Sequence, residues 1–215
     1  MDDFSKLAKL FLEGNEDDAV HYLSQMGTTP NRLHLYEQFL TPTMYHIGDL
    51  WERNEISVAD EHLATAVCDF VLSQLDSMKK RASEQNASKV LLFGIEEEQH
   101  YLGLKMVAST FREYGWNVRY LGPNLPLDHA LKQVNRYKPD VVGVSAALSY
   151  RLPVLKEVIE HLTRLEWSPT VLIGGRMAKE YDLSSFASER VVVMKDLHQL
   201  ETWIEGNEED INATS

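Results

Sequence analysis

Several short stretches of this chain carry side chains suited to holding a metal-bound group. The first is Glu98-Gln99-His100-Tyr101-Leu102-Gly103, a histidine closely preceded by a carboxylate and closely followed by a glycine. A neutral imidazole is a good ligand for a borderline transition metal. A carboxylate hydrogen-bonded to its other ring nitrogen fixes the tautomer and strengthens donation. Taken alone, the motif reads first as a loop histidine accepting a backbone hydrogen bond. Ser145 offers a hydroxyl and Gly174-Gly175 offers bare backbone, and each follows directly on an apolar run, as the Glu98 segment does. In the first half, Trp51 precedes Glu61-His62. As structural residues these are a core anchor and an exposed helix face; as a site they are an aromatic surface and two polar groups able to grip an amphipathic ligand.

The elements that must position these residues differ between the halves. Through about residue 82, apolar residues recur at helical spacing: Phe4, Leu7, Leu10, Phe11, then Val20, Leu23, then Leu33, Leu35, Tyr36, Phe39, Leu40. Breaks are expected at "EGNEDD", at "GTTPN" and around Pro42. Ser57 and Asp60 form a capping pattern at the head of a long helix with basic residues at its far end. After the polar stretch "RASEQNASK" the period changes. The runs "KVLLFGI", "WNVRYLG", "DVVGVSA", "TVLIGG" and "RVVVM" alternate with amphipathic helical segments. The expected fold class is α/β: an N-terminal helical bundle cap followed by a flavodoxin-like, doubly wound, five-stranded parallel sheet. The expected division is a bundle over 1–82, a linker over 83–88, a Rossmann-like domain over 89–205 and a frayed acidic tail over 206–215. Ligands in such sheets sit beyond the carboxyl ends of the strands, which is where Glu98 to Gly103 falls.

Composition narrows the function classes. At 215 residues and 44% hydrophobic content the chain can build a real core. It has no apolar run of the roughly 18 residues that a membrane helix needs, and its amino terminus is acidic, so the cytoplasm is the default location. Cys68 is the only cysteine, which fits a reducing compartment. With 21 basic and 33 acidic residues the net charge is −12, which opposes direct binding to a nucleic-acid backbone. No P-loop, Ser-His-Asp or zinc signature is present, so self-contained catalysis is not expected. His21, His34, His129, His161 and His198 lack partner spacing and read as ordinary surface residues, and Glu96-Glu97 reads as a solvated edge.

The constellation Glu98-x-His100-x-x-Gly103, then Ser145, then Gly174-Gly175 resembles the cobalamin-binding domains of the methionine synthase and mutase type, over roughly residues 88 to 205. The resemblance implies that His100 is the lower axial ligand of cobalt, displacing the cofactor's own base. Glu98 then orients the imidazole, while Gln99 and Gly103 border the macrocycle. Ser145, Leu148 and Gly174-Gly175 line the path of the nucleotide tail. Two departures stand out. Glu98 occupies the place of the family's usual aspartate, and Ala147 stands where the leucine of its Ser-x-Leu pattern is expected, with Leu148 one position later.

The spacing of Trp51 from Glu61-His62 is similar to that in the bundle of light-sensing, adenosylcobalamin-dependent transcriptional repressors. By that resemblance Trp51 shields the cobalt–carbon bond, Glu61 accepts hydrogen bonds from the ribose, and His62 contacts the upper ligand. Where those photoreceptors carry a histidine after the tryptophan, this chain has Glu52, so bis-histidine capture of cobalt from that position is excluded. The chain begins directly with the bundle rather than with a helix-turn-helix segment. Action through its own assembly, as a homo-oligomer such as a dimer, or through a partner signalling protein is therefore expected. The resemblance implies a stand-alone cobalamin photosensor, with adenosylcobalamin or methylcobalamin as cofactor. A bilin is a second chromophore to consider, with Cys68 as its attachment point or else a buried apolar residue. The alternatives are a corrinoid carrier for methyl transfer and a cofactor storage protein.

Overall fold

Leu7, Ala8 and Phe11, spaced at helical intervals, are wholly or almost wholly buried, as are Ala64, Val67, Cys68, Val71 and Leu72 further along. They are the inward faces of helices in a computed structural model that describes residues 3–26, 32–77 and 87–213. The chain forms two compact units, Met1–Lys80 and Arg81–Ser215.

The first unit contains α1 (Asp3–Leu12), α2 (Glu16–Ser24), α3 (Arg32–Leu35), a π-helical segment (Tyr36–Leu40), α4 (Thr41–Glu52) and α5 (Val58–Ser77). The break expected around Pro42 does not occur. A proline inside an α-helix lacks a donor and clashes with the carbonyl four residues back. Here the helix widens just before it, so that the Thr41 N–H donates to the Tyr36 carbonyl and residues 32–52 continue as one helical rod. Arg32, almost fully buried, ties the start of that rod to the end of α5 through Asp76 Oδ1 at 2.9 Å and the Leu75 carbonyl at 2.9 Å. Ser57 and Asp60 form the expected reciprocal cap: the Ser57 N–H donates to Asp60 Oδ2 at 2.8 Å, and the Asp60 N–H donates to Ser57 Oγ at 3.3 Å. The expected break at "GTTPN" and the basic residues after Ser77 lie outside the described residues.

The second unit is a five-stranded sheet in the order β2-β1-β3-β4-β5, all parallel: β1 (Lys89–Gly94), β2 (Asn117–Tyr120), β3 (Val141–Ser145), β4 (Thr170–Gly174) and β5 (Val191–Val193). The helices are α6 (Leu102–Glu113), α7 (Leu127–Tyr137), α8 (Leu152–Thr163), α9 (Arg176–Glu180) and α10 (Leu197–Ala213). Side chains alternate along each strand, and those of the central β1, β3 and β4 bury on both faces. Leu91, Phe93, Val142, Val144 and Ile173 join Val134, Leu155 and Val158 in one core, while Val90, Leu92, Val141 and Leu172 join Leu104, Phe111 and Ile204 in the other. This two-sided burial is why the central strands read as continuous apolar runs. Most of the expected linker lies outside the described residues. The backbone of α10 continues through the segment expected to fray, since a helix docked by Leu200 and Ile204 can propagate onward.

The order places β1 and β3 side by side while the chain leaves them in opposite directions, toward β2 and toward β4. This is the topological switch point of a doubly wound sheet, where a crevice opens beyond the carboxyl ends.

Candidate functional site

Two loops border that crevice, one after β1 and one after β3. The first turns tightly: the Glu98 N–H donates to the Ile95 carbonyl at 3.0 Å, and Glu97 sits in the left-handed region with φ 63. The turn sends Glu98 inward, where its side chain is completely buried. Glu98 Oε1 accepts from His100 Nδ1 at 2.7 Å and from the His100 N–H at 2.8 Å. Its second oxygen, Oε2, accepts from the Ala147 N–H on the loop after β3. With Nδ1 donating to the carboxylate, the lone pair is left on Nε2 of a ring that is 53% exposed. Burial pushes the Glu98 carboxyl upward, but the hydrogen bonds from the His100 ring, the His100 amide and the Ala147 amide together hold it below its ordinary value.

The sheet register aligns the other strand ends at one level. Gly94 pairs with Ser145, and Ser145 pairs with Gly174, so the ends of β1, β3 and β4 lie in a row. Ser145 is almost fully buried there. Gly174 has space around it, and Gly175 adopts φ 96, with an added Cβ falling 2.4 Å from the Ala146 carbonyl oxygen. Only glycine allows that approach between adjacent loops. Gln99 and Gly103 are exposed, and a Cβ on Gly103 would meet nothing of the protein within 4 Å. Leu148, half-exposed, precedes a 3₁₀ turn over Ser149–Arg151.

The residues singled out in the bundle belong to the first unit. Trp51 is 47% exposed at the end of α4, so it is not the core anchor that a purely structural reading makes it. Glu61 and His62 lie in the first turn of α5: Glu61 Oε2 accepts from His62 Nδ1 at 2.8 Å, and Glu61 Oε1 accepts from Thr65 Oγ1 at 2.9 Å. Cys68 is wholly buried, which matches a small apolar packing residue rather than an accessible attachment point.

Three contacts at the crevice have no counterpart in the sequence reading. The Ala147 amide has no side-chain signature at all. Asn124, after β2, accepts from the Glu97 N–H through Oδ1 at 2.8 Å, and Arg151 pairs with Glu97, which is therefore not merely a solvated edge. Arg151 and Glu97 are unremarkable charged residues until the fold brings their loops together.

Comparison with known proteins finds matches to both units. A B12 binding domain family matches residues 88–194, and a second B12 binding domain family matches residues 4–76. The chain is 28% identical over 150 residues to the HTH-type transcriptional repressor CarH of Myxococcus xanthus, covering 69% of this chain and 49% of the repressor. It thus spans about half that relative's length. It is 24% identical over 149 residues to dimethylamine corrinoid protein 1 of Methanosarcina acetivorans, covering 68% of this chain and 70% of that protein. The Methanosarcina barkeri monomethylamine corrinoid protein shares the fold, with a TM-score of 0.75 at 16% identity over 93% of this chain and 95% of that one. Both units carry a match of their own, and the chain belongs to the B12-binding domain family as a cobalamin-binding protein.

Proposed function

We propose that this chain is a cobalamin photosensor in which His100 is the lower ligand of cobalt and light-driven loss of the upper ligand changes conformation or assembly. The observation that carries the reading is the exposed Trp51, accompanied by the Glu61-His62 pair in the same unit. An aromatic ring left half in solvent at the end of α4 stabilises the apo fold little and is available to cover an apolar ligand.

The residues of the crevice fit the cofactor. A single imidazole with Nδ1 committed and Nε2 presented suits a metal whose equatorial positions are already filled by a macrocycle. Open space at Gly103 leaves room for a bulky ring, and Ser145 with Gly174 leaves polar, narrow backbone for a detached tail. When bound, alkylcobalamin supplies a cobalt–carbon bond that light can break. The protein's part is to hold the imidazole: Glu98 keeps the proton on Nδ1, and the Ala147 amide keeps Glu98 in place. On this reading Gln99 and Leu148 border the cofactor, Trp51 shields the upper ligand, Glu61 bonds the ribose of adenosylcobalamin, and His62 contacts the adenosyl group.

A corrinoid carrier in methyl transfer is the second reading. It is favoured by the likeness to a monomethylamine corrinoid protein along nearly the whole of both chains. A carrier works in darkness through a methyltransferase partner. Reconstitution with adenosylcobalamin in the dark, followed by green illumination, separates the two. A bound spectrum that converts to a new species with a shift in size-exclusion volume is the result expected of a photosensor. Binding with no light-dependent change in elution or conformation overturns it in favour of the carrier.

A further inference from the structure

Glu97 and Arg151 are unused by the site described above, yet they span it. We propose that their ion pair is a latch across the switch-point crevice that positions the His100 loop for cobalt, an inference that rests on His100 being the lower ligand.

Glu97 has φ 63, a conformation in which a side chain costs energy and glycine does not. Two contacts hold it there: Asn124 Oδ1 accepts its N–H at 2.8 Å, and its carboxylate pairs with Arg151. Arg151 is itself awkwardly placed. It is the N-cap of α8, where the helix dipole repels a cation, and its side chain is only 15% exposed. Its Nε has no hydrogen-bond partner, and the Tyr150 ring lies 5.4 Å from the guanidinium carbon. A largely buried cation at that position requires an anion, and Glu97 supplies it.

The two loops are therefore tied twice by consecutive residues. Glu98 takes the Ala147 amide from within, and Glu97 takes Arg151 from the rim. The inner tie fixes the imidazole, and the outer one fixes the turn from which Glu98 descends. Arg151 and Glu97 are thus positioning residues that act through Glu98 on His100.

The test uses the full chain loaded with cob(II)alamin, whose electron paramagnetic resonance spectrum shows splitting from a nitrogen lower ligand, together with adenosylcobalamin titrations. Wild type is expected to show nitrogen ligation; its absence removes the His100 reading and the latch with it. With wild type ligated, Glu97→Gln and Arg151→Gln are each expected to lower the nitrogen-ligated fraction and to weaken affinity about tenfold. The exchanged pair Glu97→Arg/Arg151→Glu is expected to restore most of both. Glu97→Gly relieves the backbone strain but leaves Arg151 without its anion, so its nitrogen-ligated fraction should fall as in Glu97→Gln. Unchanged ligation in the single variants or in Glu97→Gly overturns the latch, as does an exchanged pair no better than either single change.

Discussion

Each unit of this protein holds a close carboxylate–imidazole pair in which Nδ1 is the near nitrogen, and at the level of the pair the two are nearly alike: 2.7 Å between Glu98 and His100, 2.8 Å between Glu61 and His62. The surroundings of the carboxylate separate them. Glu98 is fully buried and collects donors from its own loop and from the loop after another strand. Glu61 is 30% exposed, and its other bond, to Thr65, comes from the next turn of its own helix. His62 is 75% exposed against 53% for His100. A carboxylate tied across the fold holds its imidazole at one place and one tautomer. A carboxylate on a single helix face lets its imidazole swing with the solvent, which suits a contact that must be made and released rather than a fixed ligand.

Removing the carboxylates is the strongest way to break this comparison. Glu98→Ala leaves the Ala147 amide buried without a partner and should cost about 3 kcal/mol. Glu61→Ala should cost well under about 1 kcal/mol, as exposed local pairs do. Denaturant unfolding of the cofactor-free protein reads both, and equal losses would erase the distinction.

Acid sharpens the same contrast. The folded Glu98 carboxyl lies below its ordinary value of 4.5, so its contribution is full above that value and is lost as pH falls through the lowered one. The unfolding midpoint of wild type should therefore drop more steeply on acidification below 4.5 than that of Glu98→Gln. Parallel curves would show that the buried bonds do not stabilise the ionised form.

The histidines come next in size. His100→Ala should remove nitrogen ligation in the dark and weaken cobalamin binding by at least about tenfold, or about 1.4 kcal/mol. His62→Ala should leave dark nitrogen ligation intact and alter only the behaviour of the upper ligand after illumination. The reverse pattern would exchange the roles assigned to the two pairs.

The smallest effect is expected at Gly103, in the first turn of α6. Alanine there meets no protein atom and should stabilise the apo fold by roughly 0.5 kcal/mol, while the added methyl weakens cobalamin binding. A stabilised variant with unchanged affinity would place the macrocycle away from this glycine.

Much of the molecule was legible before folding. Each of the five strands lies within its expected run, and in the central β1, β3 and β4 burial on both faces leaves no room for polar alternation. The Ser57–Asp60 cap was legible because capping is a local hydrogen-bond pattern. Pro42 misled because a π-helical turn can absorb a proline when packing holds both sides of the rod, and packing has no local signature. The Glu98–His100 pair could be read from spacing, whereas the Ala147 amide, Asn124 and Arg151 could not.

What the sequence determined by itself is the class of chemistry and the order of elements: an imidazole beside a carboxylate at a strand end, a change of period from helical to strand-like, and glycines where backbones must approach. These are properties of residue type and near neighbours. The tertiary structure alone decided that β1 and β3 lie together, that Glu98 is fully buried while Glu61 is not, and that Glu97 meets Arg151. Strand order, burial and ion pairing depend on residues far apart in the chain, and only the folded backbone brings them within reach of one another.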